Sequence, residues 1–179
     1  MEKQNWLEIM QGQAQLKQVE ETNQYTEQFG LVLSEQDAKL LVAEKNNILK
    51  KERRVEFGAT VLPQIIHTFC SSPYIRQSNY VDTLIALQEL FLVYKNEMQD
   101  EITDEELLNF MREQFDTVFY GDLEYLGGTC LEIFAQAIRA GYRDYTYTQG
   151  KGKFEQFDLV RRWDRSLYLE ALQELCGWR

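Results

Sequence analysis

The side chains that most often carry chemistry are sparse in this chain. His67 is the single histidine, and the three cysteines, Cys70, Cys130 and Cys176, stand far apart. A zinc site needs about four His, Cys or carboxylate ligands, usually in closely spaced pairs. One histidine and three scattered cysteines do not supply that pattern. His67 with Cys70 or Cys130 has the residue types of a thiolate–imidazole pair. Spacing neither favours nor opposes that pair, and cysteines on apolar helix faces are ordinarily inert core residues. Asp100, Glu101, Asp104, Glu105 and Glu106 form an acidic cluster. It lacks the alternating oxygen ligands, central glycine and closing Glu of a calcium loop, and reads as the solvated start of a helix. Glu89 with Glu97, and Glu124 with Glu132, repeat helical carboxylates, but di-iron bundles add a Glu-x-x-His motif, and Gln64 stands three residues before His67. Gly150-Lys151-Gly152-Lys153 is not the full phosphate-loop pattern and reads as a surface turn. No cofactor and no metal is expected.

One constellation is less easily set aside. Arg54, Glu56, Tyr74, Asn79 and Tyr80 fall around two helix junctions. Such groups either bind a ligand or lock the turns, with Arg54 pairing a carboxylate. In the ligand reading, Arg54, Glu56, His67, Tyr74 and Lys95 line a pocket between helices of a small-molecule-binding protein or enzyme.

These residues must be positioned by helices. Only two prolines, Pro63 and Pro73, interrupt 179 residues, which favours long helices because proline removes a helical N–H and clashes with the preceding turn. Ser34 followed by Asp37 predicts a helix start. Ala38, Leu41, Val42, Ile48 and Leu49 continue it as a stripe to about Arg53, with Lys50, Lys51, Arg53 and Arg54 at the negative end of the dipole. Val55 to Gly58 breaks the pattern, and a second helix covers Ala59 to Cys70. Ser78 to Met98 gives the strongest signal: Tyr80, Leu84, Leu87, Phe91, Tyr94 and Met98 recur at steps of four and three, leaving a narrow polar strip of Asp82, Glu89 and Asn96. A helix apolar around most of its circumference belongs in the middle of a bundle. Thr103 with Glu106 starts another helix, which buries Leu108, Met111, Phe115, Val118 and Phe119. Leu123 to Ile138 forms the next, with Gly127-Gly128 inside it; a close helix contact or a kink must compensate for their poor helix propensity. Tyr145 to Phe154 is either a small hairpin or a loop, and a last helix runs from Phe157 to Cys176.

Residues 1–29 are polar, with seven Gln. Trp6, Ile9, Met10 and Leu16 stand at approximate helical spacing, so this segment is either a loosely docked helix or an arm that orders in an oligomer. Residues 30–179 are expected to form one helical domain. The fold class expected is all-α, a compact bundle of six or seven helices with the hairpin near 145–155 as an option.

The net charge of −10 opposes non-specific nucleic-acid binding. Its distribution is uneven: residues 1–138 carry 11 Lys/Arg against 23 Asp/Glu, whereas residues 139–165 carry seven against four. An odd cysteine count without a CxxC pair, no signal-peptide pattern and no long apolar run together predict a cytoplasmic protein with no membrane association.

Several stretches resemble a known family. Arg54-Val55-Glu56-Phe57-Gly58, Ser72-Pro73-Tyr74-Ile75, Leu87-Gln88-Glu89-Leu90-Phe91, Tyr94-Lys95-Asn96-Glu97, Asp104-Glu105-Glu106-Leu107 and Leu123-Glu124-Tyr125-Leu126 are similar to an uncharacterised bacterial family described only as a domain of unknown function. The likeness covers about Gly30 to Tyr142. It implies a bacterial, cytoplasmic protein and transfers no activity. It does place Arg54, Glu56, Ser72, Pro73, Tyr74 and the Tyr94–Glu97 run within the family pattern. The leading functional expectation is a non-enzymatic interaction protein that binds a protein partner or itself. Its contact surface would be the basic and aromatic C-terminal set Tyr142, Tyr145, Tyr147, Arg161, Arg162 and Trp178, since Tyr, Trp and Arg are favoured at interfaces.

Overall fold

A computed structural model describes residues 2–56 and 60–139, and these are helical with connecting turns and no strand among them. The chain divides into two compact units, Met1–Asn96 and Glu97–Arg179. The hairpin expected near 145–155, the helix expected over 157–176 and the C-terminal partner-binding set lie outside the described residues.

In the first unit, α1 (Glu2–Thr26), α2 (Glu35–Lys51), α3 (Val61–Phe69) and α4 (Tyr80–Glu97) follow in order. The start of α2 is a reciprocal cap. The Asp37 N–H donates to Ser34 Oγ at 3.1 Å, and the Ser34 N–H donates to Asp37 Oδ2 at 3.0 Å, so two N–H groups that lack helical partners are satisfied. The expected stripe of Ala38, Leu41, Val42, Ile48 and Leu49 is buried. Burying a Leu or Ile side chain is worth about 1.5–3 kcal/mol, which fixes the rotation of α2. The end of α2 is tightened by 49–54 and 50–53 bonds, Arg54 N–H to Leu49 O at 2.9 Å and Arg53 N–H to Lys50 O at 3.2 Å. That closure needs one left-handed residue, and Arg53 supplies it with φ 54° where glycine would be unstrained.

The helix α4 has the expected character. Tyr80, Leu84, Leu87, Phe91 and Leu92 are buried, whereas Asp82, Glu89 and Asn96 face solvent. Its polar strip meets the end of α2, through Lys51 Nζ to Glu89 Oε1 at 3.5 Å and Asn96 Nδ2 to Glu52 Oε2 at 3.2 Å. Its buried face also carries Gln88 and Lys95.

The first helix is longer than the apolar spacing alone predicts, and it packs on both α2 and α3. Among its described side chains Val19, Thr22 and Thr26 are buried, and Gln15, Leu16 and Asn23 are half-buried. Beyond it, Leu31 and Leu33 are buried on either side of an exposed Val32. Two side-chain amides grip this extended linker as a neighbouring strand would. Asn23 donates to Leu33 O and accepts from Leu33 N–H, both at 2.8 Å, while Gln77 does the same for Val32, both at 2.8 Å.

In the second unit, α5 (Asp104–Thr117) begins at the expected Thr103–Glu106 reciprocal cap. It is followed by α6 (Leu123–Tyr125), a π-helical turn (Leu126–Leu131) and α7 (Glu132–Arg139). The two expected explanations for Gly127-Gly128 separate here. A Cβ on Gly128 would meet nothing within 4 Å, so no close contact requires that glycine, and the widened turn accommodates the pair. Phe110 of α5 stacks on Phe134 of α7, with centroids 3.8 Å apart and planes within 10°. Arg139 Nη1 reaches Glu97 Oε2 at 3.3 Å.

Candidate functional site

The centre of the first unit's polar chemistry is Glu56, one of the expected junction residues. Its Oε2 accepts from Lys45 Nζ at 2.7 Å, and its Oε1 accepts from the Val61 N–H at 2.8 Å. One carboxylate therefore neutralises a lysine whose side chain is 1% exposed and caps the first turn of α3. The residue preceding α3, Thr60, makes no side-chain cap, and its Oγ1 donates to Gln18 Oε1 of α1 at 3.1 Å. A buried ion pair of this kind is weak evidence for stability, since desolvation of both charges offsets their attraction. Removing one partner is costly for the same reason.

Arg54 and Glu56 come together in a cleft of about 350 Å³ between the N-terminal half of α1 and the end of α2. Gln11 and Gln15 line it from α1, and Asn46 and Lys50 from α2, with Leu49 and Val55 as apolar wall. The Oε1 of Gln15 is buried without a hydrogen-bond donor.

His67 lies in a different groove of about 270 Å³ between α1 and α3, with Gln18, Glu21, Thr22, Thr60 and Pro63. The imidazole is exposed, and its centroid is 4.9 Å from that of Tyr25. Glu21 is the carboxylate of this groove, with its side chain 57% exposed and 3.8 Å from Lys17. The Cys70 thiol is turned to the backbone, donating to the His67 carbonyl at 3.4 Å.

Tyr74 and Lys95 line neither cleft. Tyr74 is half-buried in the turn before α4, where its carbonyl accepts from Asn79 Nδ2 at 3.1 Å and its N–H donates to Ser72 Oγ at 3.3 Å. The Arg76 N–H in turn donates to Asn79 Oδ1 at 2.8 Å. Asn79 thus ties the turn into α4. Lys95 is buried on α4. Tyr80 is 1% exposed, and burial pushes its hydroxyl pKa up to about 12, opposed by the Thr26 hydroxyl and reinforced by Cys70.

Sequence reasoning passed over Lys45, although a signal was present. It continues the stripe of Ala38, Leu41 and Val42 towards Ile48, and a lysine at such a position requires a buried counter-charge. Gln15, Asn46 and Lys50 gave no such signal, because each is an ordinary residue on a helix surface.

The described residues define a helical fold in which polar clefts open along α1. Among the described residues, no three His, Cys, Asp or Glu side chains gather as a metal site would require, and no helix is long and apolar enough to cross a membrane. The chain belongs to DUF6323, a family of unknown function, whose model matches residues 18–144. That span reaches into α1, earlier than the resemblance beginning near Gly30, and takes in Arg54, Glu56, His67, Tyr74 and Lys95. No curated protein and no solved structure matches the chain.

Proposed function

We propose that this chain is a non-enzymatic interaction module that self-associates through the outward face of α1. The observation that carries this reading is the exposure of Trp6 at 62%, Ile9 at 52% and Met10 at 48%. At 3.6 residues per turn these three share one side of the helix, opposite Gln15, Val19, Thr22 and Thr26. Apolar groups clustered on the side away from the fold mark a contact surface rather than scattered exposure. Trp is also among the residues that dominate interface energies.

The C-terminal set Tyr142, Tyr145, Tyr147, Arg161, Arg162 and Trp178 is the second proposed contact surface. Its support is the sequence alone: an excess of basic residues over 139–165 in a chain otherwise strongly acidic, which gives charge complementarity with an acidic partner. A reducing bacterial cytoplasm is the proposed setting, and the odd count of three widely spaced cysteines fits it.

Sedimentation velocity over a rising concentration series tests the reading. The expected result is a mass above that of the monomer that grows with concentration. A single monomeric species throughout would overturn it.

A further inference from the structure

We infer that the cleft between α1 and the end of α2 is a binding site for a small organic oxyanion, a carboxylate or phosphate carried on a short carbon skeleton. The cleft's volume of about 350 Å³ lies within the range of small-molecule pockets. Its two cationic side chains, Lys50 and Arg54, stand in a chain of net charge −10. Residues 45–56 hold five Lys/Arg against two Asp/Glu, reversing the sign of the surrounding sequence. Glu56, the acid of the lining, already has Lys45 on one oxygen and the Val61 N–H on the other. Its charge is thereby offset before any ligand arrives. The amides of Gln11, Gln15 and Asn46 add neutral donors and acceptors, and Leu49 with the exposed Val55 offers apolar wall for a carbon skeleton.

The opposing explanation is that these cations merely offset the negative end of the α2 dipole. The backbone closure of that end weakens it. The carbonyls of Ile48, Leu49 and Lys50 already accept from Glu52, Arg54 and Arg53 N–H groups, so the need for cation compensation is reduced. Lys50 is exposed on the lining, and its flexible ammonium supplies a point charge for an incoming carboxylate or phosphate.

The test is an NMR titration of the full ¹⁵N-labelled chain with inorganic phosphate and, separately, citrate, against chloride at matched ionic strength. The expected result is saturable shifts of the Gln11, Gln15 and Asn46 side-chain amides with at least one probe. The tighter probe then assigns the ligand as a phosphate ester or a carboxylate. Arg54→Gln and Lys50→Gln each weaken binding by roughly tenfold or more, and Asn46→Asp, which adds an uncompensated carboxylate to the lining, does the same. Lys39→Gln, at the exposed Glu35 pair on the same helix, leaves it unchanged. Should Arg54→Gln fail to fold, Lys50→Gln decides, because Lys50 is exposed. Non-saturable shifts, shifts equal to those in chloride, or unchanged affinity in Lys50→Gln would overturn the inference. None of these outcomes depends on self-association, which is read from mass.

Discussion

The first two helices bury different kinds of side chain against their own fold. α2 is held by an apolar stripe from Ala38 to Leu49, broken by one buried lysine that Glu56 neutralises. α1 buries Val19 together with two threonines: the Thr22 hydroxyl donates to Val19 O in its own helix, Thr26 and Asn23 bond the linker that follows, and Gln18 accepts from Thr60 ahead of α3. Its apolar residues Trp6, Ile9 and Met10 point the other way. A helix that spends its polar side on its own fold leaves its apolar side for another surface, and the difference between α1 and α2 motivates the functional reading.

The contrast can be broken most severely at the α2 anchor. Glu56→Ala leaves Lys45 buried without its carboxylate and removes the cap on α3, and a loss of about 3–5 kcal/mol is expected in urea unfolding. A loss within experimental error would mean that Lys45 is not held as described. The corresponding change in α1, Asn23→Ala, removes two neutral hydrogen bonds to Leu33, and a smaller loss of about 1–3 kcal/mol is expected. If Asn23→Ala proved the costlier of the two, the ranking of charged over neutral anchoring would fail.

Tyr80 extends the comparison to pH. Its folded pKa of about 12 lies above the ordinary value of 10.0, so the folded protein retains a proton that the unfolded chain releases. Its contribution is fully present below pH 10 and is lost as pH rises towards 12. The loss is at most roughly 3 kcal/mol, because each tenfold change in proton affinity corresponds to about 1.4 kcal/mol. Unfolding midpoints of the wild type should fall across this window relative to those of Tyr80→Phe; parallel curves would contradict the assignment. The smallest effect is expected at Gly12 of α1, where a Cβ would meet nothing within 4 Å. Gly12→Ala should raise stability by about 0.5–1 kcal/mol through helix propensity. A destabilised variant would mean that α1 does not lie as a regular helix there.

Legibility in the sequence followed the same division. The caps at Ser34 and Thr103, the stripe of α2 and the nearly all-round apolar character of α4 were readable because each depends on local spacing. The docking of α1 was not. Its buried Thr22 and Thr26 and half-buried Asn23 make no periodic apolar signal, and of the spaced set Trp6, Ile9, Met10 and Leu16 the first three mark the solvent side while Leu16 is half-buried. Junction chemistry was half legible. Arg54 and Glu56 stood out as charged residues at a helix break and do share a cleft, but the carboxylate's lysine partner comes from 11 residues away across a loop. His67 drew notice as the single histidine, yet its groove is completed by Glu21 and Gln18 of α1, which only tertiary packing brings near.

The central claim is that the outward face of α1 holds a second copy of the chain. Sedimentation equilibrium of the wild type beside Trp6→Glu tests it most directly, because Trp6 is exposed and its replacement should change monomer stability by no more than about 0.5 kcal/mol. The account predicts a concentration-dependent assembly for the wild type and a folded monomer for the variant at every concentration. Equal assembly of both proteins, or of neither, would contradict it.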